Sequence, residues 1–276
     1  MPIDERARQL LDAAPREPVA VLSNASQLLV DLTDGDSISV TYRAMCIAAR
    51  NAASMEESVE YGRLAAEAAH DPVLRREGTL SMAGSMAYVG RGPEAIDLLD
   101  QASVGASGLI AAQLLFQKGV VAQLSGEYEN AIEAYNRSNL VFTAENRRDY
   151  GAQVLHNLGW IYTQTGRLQA AQDALLEARQ IEAALGRHME VSGTDNNLGL
   201  LASYRGDIPE ALRWMASSES IYMENTESTT PQHVGRSEVL ISVGLYAEAA
   251  ELARQVAAGA RSSRRSADEA EALLVA

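Results

Sequence analysis

The sequence contains a single cysteine, Cys46, and few aromatic residues, which make up 5% of its 276 positions. One cysteine cannot form an intramolecular disulfide framework, so we expect a protein of a reducing compartment. No uninterrupted apolar run approaches the roughly 20 residues that cross a bilayer, and the first residues lack the apolar segment of a secretory signal peptide. These absences predict a soluble, cytoplasmic protein that has no membrane partner.

Positive charge is also scarce. Lys118 is the only lysine, and 37 acidic residues against 23 basic ones give a formal net charge of −14. A nucleic-acid surface needs a basic stripe that neutralises phosphates, so we expect no nucleic-acid partner. An acidic chain of this kind suits partners that are neutral or locally basic.

What the chain does have is a repeat with a period of 40 residues. In each copy a glycine is followed at fixed offsets by a second glycine, an apolar residue and an alanine. The three copies are Gly119, Gly126, Tyr128 and Ala131; Gly159, Gly166, Leu168 and Ala171; and Gly199, Gly206, Ile208 and Ala211. Self-similarity at such a period is typical of stacked helical hairpins, so we expect an all-α fold.

The hairpin around Gly159 has the clearest pattern. Leu155, Leu158 and Tyr162 recur with the spacing of one helical face, and Gly166 suits a helix end that needs a positive φ. The small residue at Gly159 predicts that the second helix of the hairpin approaches the first one closely. Such a hairpin cannot bury its apolar faces alone, so neighbouring hairpins must stack on it.

The repeat divides the chain into three parts. Residues 1–35 form a degenerate N-terminal hairpin, residues 36–265 form repeats of about 36–40 residues, and residues 266–276 form the first helix of a truncated further repeat. The face of that last helix, with Leu273 and Leu274, would lack its partner. We therefore expect a piece of a longer protein, or alternatively a face that packs on another molecule.

The repeated residues resemble the tetratricopeptide (TPR) pattern. Its two small close-packing positions match Gly159 and Ala171 and their equivalents, and its aromatic positions match Tyr162 and Tyr135. Two features differ from the pattern, because Leu155 stands where tryptophan is common and the period is 40 instead of 34. The resemblance implies a right-handed α-solenoid of TPR-like helical hairpins, with about seven hairpins plus a final lone helix.

Four stretches also resemble the N-terminal TPR region of bacterial, especially actinobacterial, TPR–CHAT proteins. These stretches are HNLGWIYTQTGRLQAA, NNLGLLASYRGDIPEAL, SEVLISVGLYAEAAELA and ADEAEALLVA. The resemblance implies a regulatory array that a caspase-like protease domain with a His–Cys pair follows in the same chain. Neither Cys46 nor any of the four histidines matches a protease motif, so no catalytic residue is transferred and this chain itself is not expected to be an enzyme.

In TPR arrays one face of each first helix lines the concave groove, and the resemblance places eleven residues of this chain there. The predicted peptide-binding residues are Gln113, Phe116, Gln117, Gln153, His156, Asn157, Trp160, Gln164, Asn196, Asn197 and Tyr204. They predict a module that binds a protein or peptide partner. The alternative is a structural or self-associating scaffold without a peptide ligand, and the oligomeric state stays open.

Amide side chains form a column on this face, because Gln117, Asn157 and Asn197 are 40 residues apart. An amide both donates and accepts hydrogen bonds, so such a column could hold the backbone of an extended peptide. The alternative is that the amides bond a neighbouring helix or stay hydrated. Trp160 is either an anchor for a partner or a packing residue between repeats.

No cofactor or metal is expected. The histidines are far apart in the sequence, and none has a cysteine or a second histidine at the spacing of a metal site. Cys46 falls in the small-residue position of its repeat, which predicts a core residue.

Overall fold

The computed structural model describes residues 2–225, 236–237, 239–241 and 244–263, and every regular element in this part of the chain is an α-helix. The helices whose ends are defined are α1 (Glu5–Ala13), α2 (Pro18–Asp31), α3 (Gly35–Asn51), α4 (Met55–Ala68), α5 (Pro72–Tyr88), α6 (Gly92–Ser103), α7 (Gly108–Leu124), α8 (Tyr128–Ala144), α9 (Arg148–Gln164), α10 (Leu168–Ala184), α11 (His188–Tyr204), α12 (Ile208–Asn225) and α13 (Tyr246–Ser263). None of these helices combines the length and the apolar composition that crossing a bilayer requires. The all-α prediction is confirmed.

The 40-residue period corresponds to a regular alternation of helices and short turns. Each helix from α7 to α11 has 17 residues, and three residues connect each one to the next. Gly126, Gly166 and Gly206 end the first helices with φ of 76°, 73° and 79°, as the sequence predicts. The turns between hairpins use the same device at Asn146 and Gly186, with φ of 52° and 69°. Left-handed backbone at these turns ends each helix after the same number of residues.

The glycines at the start of each repeat allow close contact inside each hairpin. A Cβ added to Gly159 would lie 2.5 Å from Cγ of Leu175, and one added to Gly199 would lie 2.7 Å from Cγ of Met215. At Gly119 the ring of Tyr135 would be 2.6 Å away. The predicted close approach of the two helices is therefore confirmed in all three repeats.

Contacts between Cα atoms divide the chain into two compact units, Met1–Val141 and Phe142–Ala276. In the first unit each helix from α1 to α7 packs on the next one along the chain, and α5 also contacts both α3 and α7. In the second unit α9, α10, α11 and α12 pack in sequence, and α9 also contacts α11. Within each unit, the first helices of successive hairpins thus lie side by side.

The core of the first unit contains a small polar cluster around Cys46. This residue is fully buried, as the sequence predicts, and its carbonyl oxygen accepts a hydrogen bond of 2.7 Å from the hydroxyl of Ser58. Ser58 also bonds Ser85 at 2.6 Å. The thiol is therefore a core group among satisfied hydroxyls.

The lone helix predicted for residues 266–276, with Leu273 and Leu274, lies outside the described residues. The three-part division of the chain at residues 35 and 265 therefore stays a prediction.

Two glycines in the interior of first helices should respond oppositely to the same substitution. Gly159→Ala places a methyl group against the buried Leu175 and should lower the free energy of unfolding by about 1–2 kcal/mol, which is the cost of overpacking. A Cβ at Gly193 would meet only Cε1 of His156, at an ordinary contact distance of 3.6 Å. Gly193→Ala should therefore raise the free energy of unfolding by up to about 1 kcal/mol, because alanine favours the helix. Urea unfolding of both variants is the measurement, and a shift of the same sign in both would contradict the close-packing role of Gly159.

Candidate functional site

The predicted binding face of the second unit is formed by α9 and α11. Tyr204 and Gln164 occupy equivalent positions 40 residues apart, and the Tyr204 hydroxyl donates to Oε1 of Gln164 at 3.3 Å. Tyr204 is 56% exposed. On α9, Gln153, Asn157 and Trp160 lie along the same stripe as Gln164 and are half-buried. The structure thus brings most of the predicted residues of this unit to one accessible face.

His156 lies at the edge of this face, but both of its ring nitrogens are engaged. Nε2 lies 3.1 Å from Nδ2 of Asn197, and Nδ1 lies 2.7 Å from Oγ1 of Thr194. Because the amide group donates to Nε2, the ring carries its proton on Nδ1 and donates to Thr194. Burial lowers the pKa of His156 to about 4, so the ring is neutral at physiological pH.

The hydrogen bonds continue from His156 into the interior. Thr194 donates to Oε2 of Glu182 at 2.8 Å. Glu182 is only 2% exposed, and burial raises the pKa of its carboxyl group. The chain of contacts from Asn197 through His156 and Thr194 to Glu182 therefore ties α9, α11 and α10 together.

A second buried group lies next to this chain. The carboxylate of Asp195 is fully buried and accepts two hydrogen bonds from the guanidinium group of Arg179, of which the one from Nη2 is 3.2 Å long. The Ser217 hydroxyl donates to the same carboxylate at 2.7 Å. The guanidinium also lies over the ring of Trp214, 5.4 Å from its centroid. Trp214 is accordingly part of the packing between α10, α11 and α12.

These contacts separate the predicted residues by what they do. Asn197 is 9% exposed, and its Nδ2 is taken up by His156. At this position of the amide column the structure favours the alternative in which the amide bonds a neighbouring helix. Asn196 is half-buried, and its Oδ1 is buried without a hydrogen-bond partner among the described residues. The remaining candidates for contact with a partner are Gln153, Asn157, Trp160, Gln164, Asn196 and Tyr204.

The predicted residues of the first unit lie on α7, where Gln113, Phe116 and Gln117 are all half-buried. The Phe116 ring packs on the Tyr135 ring of α8, with their centroids 5.5 Å apart and a tilt of 47°. Tyr135 is itself fully buried and donates to Oε1 of Gln123 at 2.8 Å. Phe116 thus takes part in the packing of its own hairpin.

Sequence reasoning missed Arg50 and Gly84, which lie beside Gln117. A Cβ at Gly84 of α5 would be 2.9 Å from Nε2 of Gln117 and 3.1 Å from Nη1 of Arg50. Three neighbouring first helices thus place these groups together. The signal in the sequence is Gly84 itself, which interrupts a helix outside the repeat register and is costly there unless something needs the space.

The described residues contain no group of three or more histidine, cysteine, aspartate or glutamate side chains that could hold a metal ion. Residues 110–184 match the family model described as tetratricopeptide repeat. Together with the fold, this match shows that the chain carries a TPR repeat array.

Solved structures with the same fold include a Rap protein complexed with Competence and Sporulation Factor. It is 15% identical, the match covers 94% of this chain and 72% of that one, and the TM-score is 0.67. The structure of NprR in complex with its cognate peptide NprX is 14% identical over 100% of this chain and 84% of that one, with a TM-score of 0.63. BtubC from P. vanneervenii is 19% identical over 78% and 91%, with a TM-score of 0.59. A comparison with curated proteins gave no match.

Proposed function

We propose that this chain is a protein-interaction module that binds a peptide, or an extended segment of a partner protein, along its first helices. The observation that carries the proposal is the accessible stripe of α9 and α11 in the second unit. It combines amides, which can pair with peptide backbone, with the aromatic rings of Trp160 and Tyr204, of the kind that anchors many interfaces. Two neighbours of the same fold, the Rap protein and NprR, have been solved with Competence and Sporulation Factor and with a cognate peptide, which supports this function.

A finer proposal concerns the longer protein. The resemblance to TPR–CHAT proteins supports a sensor array whose ligand controls a caspase-like protease domain in the same chain. The DNA sequence that follows the codon of Ala276 tests this proposal directly. A domain with a His–Cys pair is the expected finding, and a DNA-binding or kinase domain would contradict it.

The binding proposal is tested by selecting peptides from a displayed random library on the purified chain. Trp160→Ala should weaken the selected peptides at least about 30-fold, because truncating an aromatic anchor costs roughly 2 kcal/mol or more. Asn157→Ala should weaken them by a smaller factor, because only polar contacts to the peptide are lost. Fluorescence anisotropy of labelled peptides gives the dissociation constants.

Glu177→Ala provides the control, since Glu177 is exposed on the second helix α10. It should leave the affinity unchanged. Failure to select any peptide, or equal affinity for the wild type and Trp160→Ala, would overturn the proposal. A concentration-dependent dimer in sedimentation, without peptide binding, would instead favour the scaffold function.

A further inference from the structure

The first unit contains a place where hydrogen-bond donors from two helices meet over the bare backbone of a third. Nε2 of Gln117 on α7 and Nη1 of Arg50 on α3 both lie within about 3 Å of the point where a side chain of Gly84 would begin. The two nitrogens are therefore close to each other. With the amide nitrogen on this side, both groups donate towards the same space.

Arg50 differs from the arginine one stripe position earlier on the same helix. Arg43 forms an ion pair with Glu77 of α5. Arg50 is half-buried and makes no ion pair or side-chain hydrogen bond with any residue that the structure describes. The chain has 37 acidic residues for 23 basic ones, so this arginine is not left unpaired by a shortage of acids. The local charge beside Gly84 is positive in an otherwise acidic protein.

Gly84 is not required by the packing of the helices. The other glycine within α5, Gly78, faces backbone, because a Cβ there would lie 2.6 Å from the backbone nitrogen of Ala66 on α4. At Gly84 the nearest atoms belong to the movable ends of two long side chains. A glycine inside a helix costs up to about 1 kcal/mol relative to alanine, and its use here keeps space open below Arg50 and Gln117.

A carboxylate is the ligand that fits these groups. The planar guanidinium group pairs with carboxylate oxygens through charge-assisted hydrogen bonds, and an amide N–H adds a second donor from the opposite side. The absence of a side chain at Gly84 lets the ligand approach the helix backbone. We propose that Arg50 and Gln117 bind a carboxylate of the peptide ligand above Gly84, supplied either by its C-terminus or by an acidic side chain.

This inference rests on the proposed peptide-binding function, and peptides from the same library test it. Each selected peptide is compared in three forms, with all carboxylates free, with an amidated C-terminus, and with its acidic side chains replaced by amides. Loss of the recognised carboxylate should weaken binding to the wild type about 10-fold or more, which corresponds to the loss of a hydrogen bond to a charged group. The form that loses affinity identifies the source of the carboxylate.

Arg50→Gln should remove the difference between the carboxylate and amide forms, whereas Arg137→Gln should preserve it. Arg137 is a suitable control because its side chain is 61% exposed on α8 and the change in charge is the same. Gly84→Ala should reduce the preference for the carboxylate while leaving the unfolding midpoint equal or slightly higher. Equal binding of the carboxylate and amide forms by the wild type would overturn the site and leave the peptide-binding function standing.

A second measurement does not need a peptide. Sodium acetate is titrated into the isotopically labelled chain, and the side-chain Nε–Hε signals of the arginines are followed by NMR. The Arg50 signal should move and saturate, and Arg50→Gln identifies that signal. If Arg50 only bonds the amide oxygen of Gln117, its signal will not respond to acetate and Arg50→Gln will lower the unfolding midpoint, which would overturn the site even where peptides bind.

Discussion

Replacing Arg179 with leucine should lower the free energy of unfolding by about 3 kcal/mol at neutral pH. The substitution leaves the carboxylate of Asp195 inside the protein without its counter-charge, and such a group costs roughly 3–5 kcal/mol. We expect the lower end of this range because the Arg179 side chain is 33% exposed and Ser217 still donates to the carboxylate. The loss of the contact between Arg179 and the ring of Trp214 adds to the effect. Urea unfolding followed by tryptophan fluorescence measures it.

The double variant Arg179→Leu/Asp195→Asn isolates the cause. Asparagine has nearly the same shape as aspartate but no charge, so the double variant should be more stable than Arg179→Leu alone. The buried ion pair ties α10 to α11, and Ser217 extends it to α12. If the single and double variants unfold at the same urea concentration, the unpaired charge is not the source of the loss.

Acidification should destabilise the protein through His156. Burial lowers the pKa of its ring from 6.5 to about 4. The unfolded chain therefore binds a proton at a higher pH than the folded protein does. The stabilising contribution of the neutral ring is present above pH 6.5 and is lost as the pH falls towards 4, by at most about 3 kcal/mol. Protonation would also turn Nε2 into a donor that faces the amide nitrogen of Asn197.

His156→Gln is the matched variant, because a glutamine amide can accept from Asn197 and donate to Thr194 without titrating. It should be about as stable as the wild type at pH 7 and more stable than the wild type at pH 4. Glu182 acts with the opposite sign, since its raised pKa contributes stability that is lost as the pH rises. This contribution is common to both proteins, so their difference reports the histidine. Parallel pH profiles of the two unfolding free energies would contradict the prediction.

The repeat predicted much of the fold because it records local requirements. Gly166 marks a backbone that must turn left-handed, and Gly159 marks a place where Leu175 of the next helix leaves no room for a Cβ. Such requirements depend on residues within one hairpin, so they recur with the hairpin. The division into two units at residue 141 has no such signature, because it depends on the density of contacts between hairpins.

The candidate site was predicted only in part. Helical spacing correctly placed Gln153, Trp160 and Tyr204 on accessible surface. It could not show that the amide of Asn197 meets the ring of His156, because that contact joins residues 41 positions apart on different hairpins. A repeat pattern also directs attention away from Arg50, which lies in a degenerate repeat.

The sequence by itself determined the helical hairpins, their length and their turns, because glycine, alanine and apolar spacing act over a few residues. Only the tertiary structure decided which polar groups are used up in the interior and which remain for a partner. Asn197 and His156 belong to the first class, and Arg50 with Gln117 belongs to the second. The physical reason is that a polar side chain is satisfied by whatever lies opposite to it, and what lies opposite depends on how neighbouring hairpins stack.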